Sequence, residues 1–361
     1  MAPMGWSDLP SELLITIAGN LTEFTDRIRF RSVCSHWRSS FPSLSFLPLP
    51  TQQLPWLSLP STTSSHFYSL SENRVYATPP PGIPDNSRLF GSASGWFLSL
   101  SGRNRHITIS LINPFSGASI GLPSANPGSS LAYVGDDTLV WDRSDSVVVA
   151  ACGTREGVFY CRLGDSAWSS IENQQFNTAS SITFYDGKFY ILQVDMCETT
   201  VLDGETLEQI TVIAAPQLNT PVEAHLSVSS GELLLLVKSR WMYLFPDCDS
   251  QFYKVHCVEL SDELVEWSEV NDIGNRALFV DNLHCFSVEV GDDSMLKRNC
   301  IYSAQSKTSG GSRNLSRSYS ISIFDLGNGS CECIEGALST FRAASSRGAV
   351  SVPSWAMLSL N

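Results

Sequence analysis

One short segment of the chain fits a catalytic motif. Residues 117–121 read GASIG and satisfy G-x-S-x-G, the pattern that presents a serine nucleophile in many hydrolases. That chemistry needs a strand, a sharp turn and then a helix, so that the serine stands exposed at the turn. Here Leu122-Pro123 follows Gly121 at once, where the helix should begin. We therefore interpret the match as coincidental.

Histidine and cysteine could supply metal-binding or acid–base chemistry. His256-Cys257 and His284-Cys285 could be metal ligands, but the chain has no C-x-x-C pair of the kind that zinc sites use. The ten cysteines are most simply interpreted as reduced, buried small side chains. The six histidines are scattered singly: His36, His66, His106, His225, His256 and His284. We therefore expect no metal, no other cofactor and no catalytic site.

The charge of the chain restricts its partners. The net charge is −13 over 361 residues, and residues 1–45 hold four acidic and four basic side chains, so the whole excess lies after them. Such an acidic body repels phosphate backbones, which argues against nucleic acid as a partner. The sequence has no apolar run of membrane-spanning length and no leader of signal-peptide type. It therefore predicts a protein of the nucleus or cytoplasm that does not bind membranes.

The first forty residues have the pattern of short helices. After Pro10, which suits a first helical turn, apolar side chains recur at helical spacing at Leu13, Leu14, Ile17 and Leu21. From Asp26 a second segment repeats the spacing at Ile28, Phe30, Val33, Cys34 and Trp37. A unit of about 40 residues without metal or disulfides is usually too small to be stable alone. The segment predicts two or three helices that are completed by a partner.

Residues 6–42 resemble the F-box. The similarity lies in Leu9-Pro10, in Glu12-Leu13-Leu14 and in the segment RFRSVCSHWRS at 29–39. The resemblance implies that residues 1–42 dock on the Skp-type adaptor of a cullin-RING ubiquitin ligase. The adaptor-binding residues that it implies are Leu9, Pro10, Leu13, Leu14, Ile17, Val33, Cys34 and Trp37. The alternative is that these apolar stripes only pack on one another and on the following domain.

The segment that follows has a different composition. Residues 43–65 are rich in proline, serine and leucine, and repeated prolines disfavour a helix or a central strand. We predict an ordered connector that lies against the next domain.

From residue 66 to residue 361 the pattern changes to short strands of period two, separated by glycine turns. Asp186-Gly187 is a two-residue hairpin signal, and Asp203 and Asp325 each end a strand before a glycine-containing turn. Hairpin units that recur every 40 to 50 residues are typical of a β-propeller. The sequence therefore predicts a mainly β protein with about six blades, within a range of five to seven. A large β-sandwich is the rival architecture.

Several segments of this region resemble plant F-box proteins with a C-terminal kelch-like propeller of the KIB type. They occur in the family's order: GWFLSL at 95–100, LINPFSG at 111–117, YCRLGDSAW at 160–168, FYDGKFYIL at 184–192, GNRALFVD at 274–281 and RNCIYS at 298–303. Family members normally close with a tryptophan followed by proline, whereas here Pro353 precedes Trp355. The resemblance implies a propeller that binds a target protein.

Residues 303–320 carry few apolar side chains, two adjacent glycines and three basic residues. We predict a mobile loop between blade strands, either a solvated connection or a regulatory site. Arg313-x-x-Ser316 resembles a basophilic kinase site, and phosphate there would reverse the local positive charge.

Three functions are consistent with these patterns. The first is the substrate receptor of an SCF-type (Skp–cullin–F-box) ubiquitin ligase, in which the propeller recruits an unknown target. The second is an F-box scaffold or sequestering protein that acts outside the ligase. The third, a propeller enzyme, has no catalytic constellation in the sequence to support it.

Overall fold

A computed structural model gives the fold. It describes most of the chain, with gaps between the described stretches: 5–21, 24–40, 54–60, 66–76, 87–92, 94–103, 106–114, 117–125, 139–152, 157–171, 179–194, 198–216, 223–240, 251–260, 267–292, 294–309, 315–345 and 353–357. Within these stretches, no helix has the length and apolar character needed to cross a membrane.

The N-terminal unit consists of a 3-10 turn, Trp6–Asp8, and three helices: α1 (Ser11–Gly19), α2 (Phe24–Ser32) and α3 (Ser35–Ser39). Its small core holds Leu14, Ala18, Phe30 and Trp37. The Trp37 indole Nε1–H donates to the carbonyl of Trp6 at 2.9 Å, and the rings of Phe30 and Trp37 lie 4.5 Å apart. These contacts tie the 3-10 turn, α2 and α3 into one unit.

The rest of the described chain forms six sheets, five of them antiparallel throughout, which confirms the predicted six-bladed propeller. Blade 1 contains β1 (Trp56–Leu59), β2 (His66–Ser69), β3 (Arg74–Tyr76) and β26 (Ser354–Ala356). Blade 2 contains β4 (Arg88–Phe90), β5 (Phe97–Arg103), β6 (His106–Ile112) and β7 (Ser119–Ala125). Blade 3 contains β8 (Leu139–Arg143), β9 (Val147–Cys152), β10 (Val158–Arg162) and β11 (Ser169–Ser170).

The remaining blades complete the ring. Blade 4 contains β12 (Ser181–Tyr185), β13 (Lys188–Gln193), β14 (Glu198–Asp203) and β15 (Gln209–Ala214). Blade 5 contains β16 (Glu223–Ser229), β17 (Glu232–Arg240), β18 (Gln251–Glu259) and β19 (Ser268–Val270). Blade 6 contains β20 (Arg276–Val280), β21 (Cys285–Glu289), β22 (Cys300–Ser309), β23 (Leu315–Asp325), β24 (Cys331–Cys333) and β25 (Arg342–Ser345), with helix α4 (Ala337–Thr340).

The ring closes within blade 1, where the last described strand pairs with the first. Strand β26 takes the innermost position and pairs antiparallel with β1, with Leu57 opposite Trp355. Strand β1 pairs with β2 on its other side, so it is a central strand. The prediction of a connector over 43–65 is therefore wrong for residues 56–59. Pro55 and Pro60 flank this four-residue strand and remove none of its own N–H donors.

Blade 6 departs from the meander of the other blades. Strand β21 is innermost, and β20 pairs antiparallel with β21 but parallel with β22. Strands β22 and β23 then pair over ten positions, from Cys300–Asp325 to Ser309–Ser316. The prediction of a mobile loop over 303–320 is therefore wrong for all but residues 310–314, which lie outside the described residues. Ser316 sits in a central strand, opposite Ser309 and Ala344.

Side chains on the inner strands link neighbouring blades by accepting backbone N–H groups. Asp281 Oδ2 accepts from the Trp355 N–H at 2.9 Å, and Ser354 Oγ accepts from the Gly91 N–H at 2.9 Å. Asp142 Oδ2 accepts from the Phe184 N–H at 2.8 Å, and Ser181 Oγ accepts from the Leu226 N–H at 3.0 Å. Four blade junctions are therefore tied by polar contacts, and three of them, between blades 6 and 1, 3 and 4, and 4 and 5, also enclose an apolar core.

Turns follow the predicted chemistry. Asp186 and Gly187 have φ of 46° and 72° and connect Tyr185 to its cross-strand partner Lys188. Asp203 Oδ1 accepts the N–H groups of Glu205 and Thr206, and Asp325 does the same for the turn after β23. The turns that follow the innermost strands of blades 2 to 5 lie on one side of the ring, which we call the hairpin face.

Candidate functional sites

The N-terminal helices present an exposed apolar surface. Leu13, Ile17 and Val33 are 51%, 37% and 55% exposed, and all three belong to the predicted adaptor-binding set. Trp6 and Ile15 are also exposed, at 75% and 43%, and neither belongs to the predicted adaptor-binding set. Trp6 lies in the 3-10 turn before α1, and Ile15 lies in α1 between Leu13 and Ile17. The signal available in the sequence was the apolar type of both residues. Together these five side chains define the helical apolar surface.

The other predicted adaptor-binding residues have different environments. Leu14 and Trp37 lie in the core of the helical unit, and their contact with an adaptor stays a prediction. Leu9 and Cys34 are partly buried against that core, and the Cys34 Sγ accepts the Trp37 N–H at 3.5 Å at the start of α3. Pro10 is exposed at the start of α1.

The suspected catalytic residues are not arranged for catalysis. Ser119 begins strand β7 and pairs with Ile112, so the GASIG segment is not a strand–turn–helix elbow. His225 is buried, and burial lowers its pKa to about 4, which keeps the imidazole neutral. Among the described residues, no group of three or more histidine, cysteine and acidic side chains is placed to hold a metal ion.

A buried ion pair lies at the junction of blades 6 and 1. His284 Nδ1 donates to Asp281 Oδ2 at 3.0 Å, and the same oxygen accepts the Ser354 hydroxyl and the Trp355 N–H. Burial alone would favour the neutral forms of both groups. The ion pair and these hydrogen bonds outweigh burial, so the pKa of Asp281 is lowered and that of His284 is raised. The pair therefore holds the closing strand β26 rather than a substrate.

A cavity of about 570 Å³ opens on the hairpin face between blades 2, 3 and 4. Four turns supply its lining, which is Ser94, Trp96, Arg143, Ser144, Asp145, Ser146, Phe184, Gly187, Gly204 and Glu205. The Arg143 guanidinium carbon lies 5.3 Å from the centre of the Trp96 ring. Its Nε–H donates to the Ser144 carbonyl at 3.1 Å. No sequence motif marks this site, because its residues come from segments far apart in the chain.

Comparison with known proteins identifies the class of chain that these features define. Residues 6–45 match the model of the F-box-like family, and residues 67–325 match the model of the KIB1-4 beta-propeller family. The second match covers most of the chain. The chain therefore belongs to the KIB1-4 beta-propeller family and carries an F-box-like segment before the propeller, as its sequence motifs predicted.

Curated relatives are named as F-box proteins, and some of them as F-box/kelch-repeat proteins. The chain is 24% identical over 335 residues to F-box/kelch-repeat protein At1g64840 of Arabidopsis thaliana, covering 82% of this chain and 83% of that protein. It is 25% identical to F-box protein SKIP23 of the same plant, covering 80% of each. A solved structure of TolB from Acinetobacter baumannii matches with a TM-score of 0.45 and 8% identity, over 93% of this chain and 74% of that one. The blade assignment rests on the strand pairing described above.

Proposed function

We propose that this protein is the substrate-recognition subunit of an SCF-type ubiquitin ligase. In this proposal the N-terminal helices dock a Skp-type adaptor, which links them to a cullin and a RING subunit. The propeller recruits the target protein, and the chemistry of ubiquitin transfer belongs to the other subunits. The observation that carries the proposal is the helical apolar surface, which lies within the segment that matches the F-box-like family.

The physical reason is the size and exposure of that surface. The helical unit has a core of four side chains but leaves five large apolar side chains exposed. Burial of apolar area contributes about 25 cal/mol per Å², so a partner that covers this surface would stabilise the unit. An adaptor with a complementary apolar groove is such a partner.

A co-expression experiment tests this proposal. The double variant Leu13→Asp, Ile17→Asp places two charges on the helical apolar surface without touching the core, and we expect it to lose adaptor binding in a pull-down. The matched control is Ile210→Asp, Val212→Asp, which makes the same change at two exposed apolar positions of β15. The control should bind the adaptor like the wild type. Unchanged adaptor binding by the first variant would overturn the proposal.

The presence of cullin separates the receptor from the scaffold. A receptor brings both adaptor and cullin into the purified complex, whereas a scaffold outside the ligase brings adaptor without cullin. Deletion of residues 1–42 should leave a receptor able to bind its target, so that the target accumulates in cells. If no protein shows a lengthened half-life in quantitative proteomics, the scaffold is favoured.

Two further parts of the proposal concern location and chemistry. We place the protein in the nucleus or cytoplasm, which imaging of a fluorescent fusion tests. We also propose that the chain is not an enzyme, because the carboxylates of Asp142 and Asp281 accept hydrogen bonds that hold blades together. Turnover of any substrate by residues 54–361 would contradict this part.

A further inference from the structure

We propose that the cavity on the hairpin face binds a lysine or arginine side chain from an extended segment of the target protein. This inference rests on the proposed function, because it assigns the target's chemistry to a surface of the propeller. It goes further by naming the site and the class of side chain that the site accepts.

The cavity is fixed by its own backbone. The Gly204 N–H donates to the Gly187 carbonyl at 2.7 Å, which joins the β14–β15 turn to the β12–β13 turn. A Cβ on Gly204 would lie 2.6 Å from that carbonyl oxygen and 2.8 Å from the Phe184 ring, so only glycine permits this approach. A Cβ on Gly187, in contrast, would meet nothing within 4 Å. The site is therefore open and already formed.

Aromatic side chains supply two of its walls. Trp96 and Phe184 are both partly buried, and Phe184 is supported by Phe189, with ring centres 4.8 Å apart. Aromatic faces attract cations and also pack against the aliphatic stem of a long basic side chain. The volume of about 570 Å³ lies within the range of small-ligand sites and is large enough for one side chain with its flanking backbone.

The lining of the cavity carries more negative than positive charge, since it contains Asp145, Glu205 and one cation. Asp145 and Glu205 are exposed, and their carboxylates have no ion-pair or hydrogen-bond partner within the stretches of chain that the structure describes. The single cation of the lining, Arg143, contacts the Trp96 ring and donates its Nε–H to the Ser144 carbonyl, whereas its buried Nη1 has no hydrogen-bond partner among the described residues. The two carboxylates would attract a basic side chain and repel an acidic one.

The surroundings have the same sign. The strand ends and turns of blades 3 and 4 on the hairpin face carry six acidic residues, Asp145, Asp165, Asp186, Asp203, Glu205 and Glu208, and three basic residues, Arg143, Arg162 and Lys188. This excess extends the acidic character of the chain to the rim of the cavity. It would draw a basic segment toward the site and make its binding sensitive to salt.

The test uses the full-length chain and an array of immobilised nonapeptides. The central residue is lysine, arginine, methionine, glutamate or phosphoserine, and the flanking positions are randomised. We expect the lysine and arginine arrays to retain the protein, and salt to weaken this retention. The variant Asp145→Asn, Glu205→Gln should lower retention about tenfold, since it removes both free carboxylates. Trp96→Ala should lower it by a similar factor.

A second pair of substitutions on the same face is the control. Asp186→Asn, Glu208→Gln removes the same charge from blade 4, but these residues do not line the cavity. The control should retain the basic arrays within about twofold of the wild type. Thermal unfolding and adaptor binding of all variants are measured in parallel, so that a loss of fold is recognised.

Some results would overturn the inference about the cavity, and one result would overturn only the proposed function. A preference for the glutamate or phosphoserine array would overturn the inference and make Arg143 the anchor. Equal losses in both charge variants, or a Trp96→Ala protein that binds normally, would also overturn it, because the effect would then not come from the cavity. Retention of basic arrays by a chain that recruits no adaptor or cullin would sink the proposed function and leave the cavity assignment standing.

Discussion

The helical unit and the propeller differ in the exposure of their large apolar side chains. Of the eight exposed large apolar side chains among the described residues, five belong to the first forty residues and three to the propeller. The propeller encloses a separate apolar core at each of five junctions between blades, and it closes its ring through β26. The difference is the reason that we propose a partner for the helices and none for the apolar cores of the propeller.

Substitution of Trp355, which lies in the closing strand β26, should produce the largest loss of stability in the propeller. Trp355 is fully buried and packs edge-on against Phe279 with ring centres 5.0 Å apart. We expect Trp355→Ala to destabilise the propeller by about 3–5 kcal/mol, since it leaves a cavity beside β1. Urea denaturation measures the change. Adaptor binding below the unfolding midpoint should persist, and its loss would show that the two parts are not independent.

Two neighbouring leucines sharpen the contrast within the helical unit. Leu14 is fully buried and Leu13 is half exposed, although both lie in the same turn of α1. Leu14→Ala should destabilise the helices by about 2–5 kcal/mol, whereas Leu13→Ala should change their stability by less than about 0.5 kcal/mol. Hydrogen exchange of the amides of α1 measures both. A pull-down should show weaker adaptor binding for Leu13→Ala, although its helices stay protected.

The pH dependence of the propeller tests the ion pair that holds β26. The raised pKa of His284 stabilises the fold fully below its ordinary value of 6.5, and this contribution is lost as the pH rises through the raised pKa. The lowered pKa of Asp281 stabilises above its ordinary value of 3.8, and this contribution is lost as the pH falls through the lowered pKa. The pair therefore contributes most between these two limits.

The variant His284→Gln keeps a hydrogen-bond donor but removes the charge. We expect it to be less stable than the wild type by about 1–3 kcal/mol near pH 5 to 6, with a smaller difference at alkaline pH. His225, whose own pKa is about 4, is present in both proteins, so its acid sensitivity cancels in the difference. A difference that does not change between pH 5 and 9 would show that the fold does not raise the pKa of His284.

The smallest effect is expected in the β22–β23 hairpin. The Tyr319 hydroxyl donates to the carbonyl of Pro60, which ties this hairpin to blade 1. Tyr319→Phe should cost about 1 kcal/mol, the usual net value of one hydrogen bond. Differential scanning fluorimetry is sensitive enough to detect the shift. A variant as stable as the wild type would indicate that apolar contacts alone hold the hairpin.

Local pattern was sufficient to predict much of the fold. Asp186-Gly187 and Asp203 predicted their turns because the chemistry of those turns resides in the residues themselves. Six blades followed from the spacing of such turns and strands. The family followed from motifs that occur in order along the chain and was confirmed by the family match over 67–325.

The errors arose where partners distant in sequence decide the structure. Residues 303–320 look like a loop because serine and small residues dominate, yet backbone pairing with β25 and burial of Tyr319 and Ile321 make them strands. Residues 56–59 look like a proline-rich connector, and only the pairing with β26, about 300 residues later, makes them a central strand. The cavity has the same origin, since Trp96 and Glu205 meet only in the closed ring.

The pairing of β1 with β26 also sets an order of events during synthesis. A ribosome releases the N-terminal helices first, so they can meet an adaptor while the rest of the chain is still being made. Strand β1 emerges early as well, but its inner edge has no partner until Ser354–Ala356 is translated. Until then, blade 1 offers an open strand edge of the kind that invites wrong pairing or a chaperone. In the proposed function, the N-terminal helices can therefore bind the adaptor before the propeller ring has closed.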